Sequence, residues 1–556
     1  MTSSFEFRAF RLLVVQCLFA AAIVGQTATP VAPGVRAFNV KAFGAVGDGV
    51  HLDTPAIVAA IKAAAASGGG TVVFTPGTYR AGTFEILSNV SLDLEPGSIL
   101  QASADISDYL TLAQLGFMRV PGADTSGDGD MAGLIVARGA TNIAIFGHGI
   151  IDGNGDSFFD FHTPHYGLDF DPQRTRDGQA FIDAVKTLDD GPVAVKPAGR
   201  PGTMIFLANS SNILIRDITI RNAPNWTMHL GKSEHAVVSE LRIANNQLLP
   251  NNDGIDVIGC HDIHFSDCDI VAGDDDFAIM SSENVTAVNC TLSSYSAGIR
   301  LEDTRFATFD NLTIHANRGI GVFERGKGTT SSVLFSNMVI QTRLLTGHWW
   351  GKAEPIYIAS AGTSKGVQDV HFSNIVADGE SGMMLYGSPG SLIRNVTFDQ
   401  VLMRVHAPRE AASRGVGGNF DLRWTATGLS TAVFKHDIPA LYCRWVDNLK
   451  VRGLTVEWDA NLPAYFSNAV ECEDFRGLNV DAFAGRQAVA DAVIVLRRGD
   501  GVSIRNSTAT PGASTFLSTS EVTGEGLFFG NDLANAKGTF QPATSAFTLF
   551  GNLLPK

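Results

Sequence analysis

NILIRDITI (212–220), HAVVSELRI (235–243), DIHFSDCDI (262–270), NVTAVNCTL (284–292), ATFDNLTI (307–314) and SVLFSNMVI (332–340) share one plan. Each holds two short β-rich runs parted by a polar residue, and each ends on Ile or Leu. The terminal residues stand at 220, 243, 270, 292, 314 and 340, so the steps are 23, 27, 22, 22 and 26. A spacing of about 24 residues means one supersecondary unit per repeat. Within a unit the apolar residues alternate, the mark of a strand with one buried face. Strands this short cannot stand alone, so each coil must lie on its neighbour. The expectation is an all-β chain wound as a single elongated parallel β-helix over residues 35–556. A β-propeller is excluded because its blades need about 40–50 residues.

Outward from that core the pattern loosens but persists. Less regular coils follow in SLIRNVTFDQVLMR (391–404), NLKVRGLTVEW (448–458) and GVSIRNSTAT (501–510). A polar residue recurs before the last run of each unit, at Asp217, Glu240, Asp267, Asn289, Asn311, Asn337 and Asn374. Asn tolerates left-handed turns and bonds its own backbone, so these positions predict a stacked polar ladder. Asn289 and Asn311 also match Asn-x-Ser/Thr, but the ladder explains them better than glycosylation. DTPAIVAAIKAAAASGGG (53–70) reads as a helix with Asp53 or Thr54 at its cap and glycines at its end. Such a helix would close the open end of the solenoid and block edge pairing. Insertions interrupt the pattern at 105–131, 158–202, 343–362 and 408–439, and insertions in a solenoid tend to gather on one face and build a binding site.

Length alone, 556 residues, suggests three or four domains at about 150 residues each, and the repeat replaces that reading with one unit. Charged residues are only 17%, and the formal net charge is −15. An acidic surface repels phosphate backbones, which argues against a nucleic-acid partner. Arg8 and Arg11 precede the apolar run LLVVQCLFAAAIV (12–24), and small or polar residues follow. Residues 1–26 therefore read as a secretory signal, and the mature protein as secreted or periplasmic with no membrane partner. Loss of Cys17 leaves Cys260, Cys268, Cys290, Cys443 and Cys472. Five is odd and the spacing carries no zinc signature, so buried, stacked thiols are expected rather than a metal site or a disulfide framework.

The densest acidic grouping is PNNDGIDV (250–257) followed by AGDDDFAI (272–279). Asp253 and Asp274 are 21 residues apart, close to one coil, so they stack on adjacent turns. Asp275 adjoins Asp274, and Asp256 and Asp276 lie close by. Like charges held together raise some of their pKa values. One group then keeps a proton near neutrality while another stays ionised, the arrangement for an acid and a base around a glycosidic bond. Asp and Asn also furnish plain turns, and carboxylates also bind calcium. A pure scaffold would prefer Asn to three stacked like charges, so the cluster favours function.

At these residues the sequence resembles glycoside hydrolase family 28, the polygalacturonases. The motifs are FNVKAFGAVGDGVHLDTPAIVAAI (38–61), GGGTVVFTPGTYRAG (68–82), SNVSLDLEPGSIL (88–100), NIAIFGHGIIDGNG (142–155), NAPNWTMHL (222–230), NNDGIDV (251–257) and GDDDFAI (273–279). The resemblance implies a right-handed parallel β-helix and an inverting hydrolase. It implies that Asp274 protonates the leaving oxygen while Asp253 and Asp275 activate the water. Inverting carboxyls sit about 6.5–9.5 Å apart to admit that water. Two motifs depart from the family: SAGIRLED (296–303) puts Ala297 where the histidine of Gly-His-Gly stands, and NRGIGVFERGKG (317–328) lacks Arg-Ile-Lys. Arg300, Arg318 and Arg325 are left to supply positive charge.

Sugar contacts are expected from Asn252, His229, Arg300, Glu302 and Arg325. The insertion TGHWWGKAEPIYI (346–358) adds His348, Trp349, Trp350, Lys352 and Glu354, since aromatic faces pack on sugar rings and charged neighbours bond hydroxyls or carboxylates. Asn225 and Trp226 open the coil before Asp253, with Trp226 read as core. The expected partner is a polysaccharide or oligosaccharide, pectin-like or another uronide; no cofactor and no metal is called for, and oligomeric state is unreadable. Two other functions fit the same scaffold. A lyase would hold calcium on Asp253, Asp274 and Asp275 with Arg300 or Lys352 as base, and a non-catalytic carbohydrate-binding protein would use none of these chemically.

Overall fold

A computed structural model describes residues 36–117, 130–164, 193–345, 351–362, 365–409, 417–422, 433–541 and 547–555, with a few single positions between 172 and 183. The signal reading of residues 1–26 lies outside the described residues, as do His348, Trp349 and Trp350.

The strands form a right-handed parallel β-helix that runs without a break in stacking from Ala37–Asn39 to Phe547–Phe550. Three strand positions recur per coil. The repeat read from sequence is the register of one of these sheets: Ile220 pairs with Ile243, then Ile270, Leu292, Ile314 and Ile340. All six are fully buried. A second axial row runs through Leu207, Leu230, Val257, Ile279, Leu301, Val322 and Ile358, again fully buried. Each such side chain contributes about 1.5–3 kcal/mol when taken from water, which is how strands of four residues hold. Phe309, Phe335, Phe372 and Phe398 stack face to face along the remaining sheet at 5.0 to 5.1 Å. Among the described residues the five cysteines are free and buried, and Cys443 stacks on Cys472 within the core row.

The polar ladder is present, with Asp217, Glu240, Asp267, Asn289, Asn311, Asn337 and Asn374 all in the left-handed region, φ 50–57°. Asn311 donates to Asn289 at 2.8 Å and Asn289 to Asp267 at 3.2 Å, so both glycosylation-like amides are used inside the ladder. A second ladder, absent from the sequence reading, runs through Asn89, Asn142 and Asn212. The helix Thr54–Ala66 buries Ala56, Ile57, Ala60, Ile61 and Ala64 on one face and packs on the first coil. Asp53 sits at its cap position but does not cap it: the carboxylate turns back to accept from Val46 and Gly47 N–H at 2.7 and 3.1 Å. Among the described residues no helix is long and apolar enough to cross a membrane.

The four insertions leave the solenoid at one corner, between the third strand of a coil and the first strand of the next. Two of them carry short antiparallel ribbons that the coil repeat does not mark: Phe159–Pro164 with Val193–Val195, and Asn419–Asp421 with Val433–Lys435. The uninterrupted turns at that same corner carry the aspartates.

Candidate active site

Three successive turns build the site. Asn252 to Gly254 leads into Ile255–Ile258, Asp274 to Asp276 into Phe277–Met280, and Ser296 into Ala297–Glu302. Main-chain bonds continue from the sheets into these turns: Gly254 N donates to Asp275 O at 2.8 Å, and Asp276 N to Ala297 O at 2.9 Å. Asp253, Asp275 and Ala297 therefore share one axial row, with Asp274 a residue earlier. Gly254 and Gly273 make the close stacking possible. A Cβ on Gly254 would lie 2.5 Å from Asp276 O, and one on Gly273 would lie 2.4 Å from Asn252 Oδ1.

The predicted trio comes together. Asp253, Asp274 and Asp275 each offer a carboxylate oxygen within 4.8 Å of the others. Asp253 and Asp275 are buried and Asp274 is half-buried. Their surroundings differ. Asp275 Oδ1 accepts from Ser296 Oγ at 2.9 Å and from Ala297 N at 3.1 Å, and Arg300 Nη1 lies 3.7 Å from Oδ2. Asp274 accepts from the Asp275 amide at 3.0 Å and from Asn251 Nδ2 at 3.4 Å. Asp253 Oδ1 is buried without a hydrogen-bond partner.

These surroundings order the proton affinities. Burial, then the carboxylates of Asp274, Asp256 and Asp275, push Asp253 well above the usual carboxylate range. Burial and the adjacent Asp275 push Asp274 up to about 7. Burial also raises Asp275, but Arg300, Ser296, the Ala297 amide and Arg318 oppose it. Asp275 is thus the member whose neighbours oppose the rise, whereas for Asp253 and Asp274 a neighbouring carboxylate adds to it. The three interact strongly enough to titrate as a unit. Three converging carboxylates are also a donor set that a hard cation such as calcium accepts, although calcium takes about 6–8 oxygens.

The other predicted residues divide. Arg300 lies on the next coil, its Nη2 3.6 Å from Glu302, and Glu302 in turn accepts from Arg325 Nε at 3.0 Å. Asp275, Arg300, Glu302 and Arg325 thereby form a row of alternating charge along the sheet. His229 stacks on Phe206 at 4.7 Å and meets the edge of Trp226 at 5.4 Å. Burial holds its pKa down to about 3, so it is a neutral ring at all relevant pH. Trp226 and Asn225 are buried, as core.

Three sugar-contact expectations need correction. Asn252 is fully buried: its Oδ1 accepts from Gly273 N and its Nδ2 donates to Asn246 O, both at 2.7 Å. It braces one turn against the next, with both ends of its side-chain amide used inside the protein. Lys352 and Glu354 are buried as well. Glu354 is occupied by Arg318, at 3.3 and 3.4 Å, and by the Lys352 amide at 2.7 Å. The sequence reading missed the Asp275-holding role of Ser296, although Ser296 stands 22 residues beyond Asp274, on the coil repeat. It also missed the Arg318–Glu354 pair, which no periodicity marks.

Comparison with known proteins agrees with the fold. Residues 203–348 match the family model for a right handed beta helix region, and residues 37–106 match the model for rhamnogalacturonase A/epimerase, pectate lyase-like. A probable polygalacturonase from Vitis vinifera is 27% identical over 396 residues, 64% of this chain and 73% of that protein. The structure of a family 28 exopolygalacturonase from Yersinia enterocolitica superposes with a TM-score of 0.56 at 17% identity, covering 80% of this chain and 78% of that one. The tailspike protein of E. coli bacteriophage HK620, solved with a pentasaccharide, superposes with a TM-score of 0.52 at 12% identity, covering 88% and 80%. The last two establish shared fold. Together with the motifs around Asp253, Asp274 and Asp275, the sequence match makes this chain a divergent, family 28-like relative of the polygalacturonases.

Proposed function

We propose that the protein is an exported glycoside hydrolase that cleaves a pectin-like polysaccharide or oligosaccharide by acid and base catalysis at Asp274 and Asp275. The observation that carries this is the split environment of two adjacent carboxylates: Asp274 holds its proton up to about 7, and at Asp275 the rise caused by burial is opposed by Arg300, Ser296 and the Ala297 amide. Asp274 is half-buried and meets the solvent side, so it donates its proton to the leaving oxygen. Asp275, with Asp253 beside it on the previous coil, orients and deprotonates the attacking water. Water attack from the face opposite the leaving group inverts the anomeric centre. Arg300 also gives a uronate carboxylate a cation at the site, in place of the missing Arg-Ile-Lys triplet.

One observation favours a second mechanism. The nearest oxygens of the trio lie within 4.8 Å, tighter than the separation of about 6.5–9.5 Å usual for inversion and nearer the roughly 5–5.5 Å of retaining enzymes. Hydrolysis of a defined pectic oligosaccharide followed by NMR separates the two. Inversion gives a first-formed reducing end of the opposite anomeric configuration. The same configuration would replace the water-activating role of Asp275 with a nucleophilic one. An unsaturated product absorbing in the ultraviolet, lost on chelation, would instead identify a lyase.

A further inference from the structure

From the walls around the carboxylates we infer that this site takes the end of a glycan chain and releases short products from it, rather than cutting within the chain. The inference rests on the hydrolase reading above and specifies its mode of action. The outward row of the first sheet is the floor along which a chain would run, and past Glu302 it is closed. The Glu302 side chain is 16% exposed. On the next coil Phe323 is 2% exposed, on the second Tyr357 and Ala359 are both 0%, and on the third Met384 is 1%.

Tyr357 is covered by Arg318. Gly321 is the register partner of Arg300, and its missing side chain leaves room. A Cβ there would lie 2.7 Å from the Phe323 ring and 3.0 Å from Arg318 Cδ. Arg318 instead crosses the floor, with its guanidinium 3.8 Å from the centre of the Tyr357 ring. Glu354, from the insertion after residue 343, pairs with it, and both are buried. Ala353 N donates to Asn317 Oδ1 at 3.3 Å and Thr342 Oγ1 donates to Ala353 O at 2.6 Å, which pins the insertion to two coils. The next insertion is latched to the first: buried Glu380 accepts from Leu344 N at 2.9 Å and from Arg409 N at 3.1 Å.

The opposite side is also walled. Arg200, from the insertion after residue 158, is buried and donates to Pro224 O and Pro250 O at 2.9 and 2.6 Å, and to Asn251 Oδ1 at 3.2 Å. It fastens that insertion onto the turns just before Asp253. The carboxylates thus lie in a pit between two walls. Asp253 and the Arg318 wall are three coils apart, about 14 Å along the axis at strand spacing. A pit of that length accepts a terminus and a few sugars, whereas mid-chain attack requires a floor open at both ends.

The purified protein is given a long pectic oligosaccharide with free ends and the same oligosaccharide with both ends chemically blocked. One short product from the earliest time points, with at least a tenfold slower reaction on the blocked chain, is the expected result. A broad ladder of intermediate products, or equal rates on both chains, overturns the inference while leaving hydrolysis intact. Absence of any hydrolysis overturns the function itself, and this inference with it. Glu354→Gln, which leaves Arg318 without its counter-charge, should raise the share of intermediate products in a variant that keeps its thermal transition. Asn311→Ala, in the polar ladder at another corner of the coil, should not.

Discussion

At the corner between the second and third sheets, Asp267, Asn289 and Asn311 stack on consecutive coils and each amide donates to the oxygen behind it. At the insertion-bearing corner Asp253 and the Asp274–Asp275 pair also stack on consecutive coils, but there carboxylate oxygens meet one another within 4.8 Å. The first corner faces water and satisfies itself. Even where it places exposed Glu240 behind half-buried Asp217, the outcome is only a raised Glu240 pKa. The second corner is buried and keeps its like charges, which lifts Asp253 and Asp274 far from ordinary carboxylates. The same coil geometry therefore yields a structural ladder or a reactive cluster according to whether Asn or Asp fills the turn. Burial decides how much that choice matters, because like charges cost little in water and much away from it.

That contrast can be broken most severely at its reactive end. Replacing Asp275 with Asn gives the second corner the chemistry of the first, and kcat/KM should fall by about 10²–10⁴ while the glycan still binds. An Asp275→Asn protein that retains most of its turnover would reduce the cluster to a turn. A smaller effect is expected from Arg300→Gln. Without the cation, Asp275 takes up a proton at higher pH, so the acid side of the pH–rate profile should move upward. A rise of one unit there is about a tenfold loss of ionised base. A profile unchanged in position would mean that Arg300 does not set the state of Asp275. The smallest effect belongs to the ladder. Asn311→Ala removes one donor and places alanine in a left-handed turn, which should cost about 1 kcal/mol of stability in denaturant titration and leave activity untouched. A loss of turnover at this distance would merge the two corners into one function.

The sequence reading reached the two corners unequally. The spacing of Ile220, Ile243, Ile270, Leu292, Ile314 and Ile340 is a physical register, because only inward residues of a stacked sheet must be apolar at every turn. The same spacing brought Asp253 to Asp274 without any knowledge of side-chain direction. The walls were not legible, since Arg318 and Glu354 are 36 residues apart across an insertion that has no period. Nor was the fate of Asn252, Lys352 and Glu354, all polar residues beside the site and all buried. Residue type and proximity in sequence do not reveal whether a polar group meets a ligand or another part of the chain. The second ladder at Asn89, Asn142 and Asn212 escaped because its early members are separated by insertions of unequal length.

The central claim, that the buried corner stores a proton on Asp274 for use near neutrality, is tested most directly by kcat/KM on a defined pectic oligosaccharide as a function of pH. Asp274 must be protonated to donate, and its proton is held up to about 7. Activity should therefore be lost as pH rises through about 7, with a single descending limb. Activity that stays level from pH 6 to pH 9 would contradict the account, because no carboxylic acid at this site would then be carrying the proton.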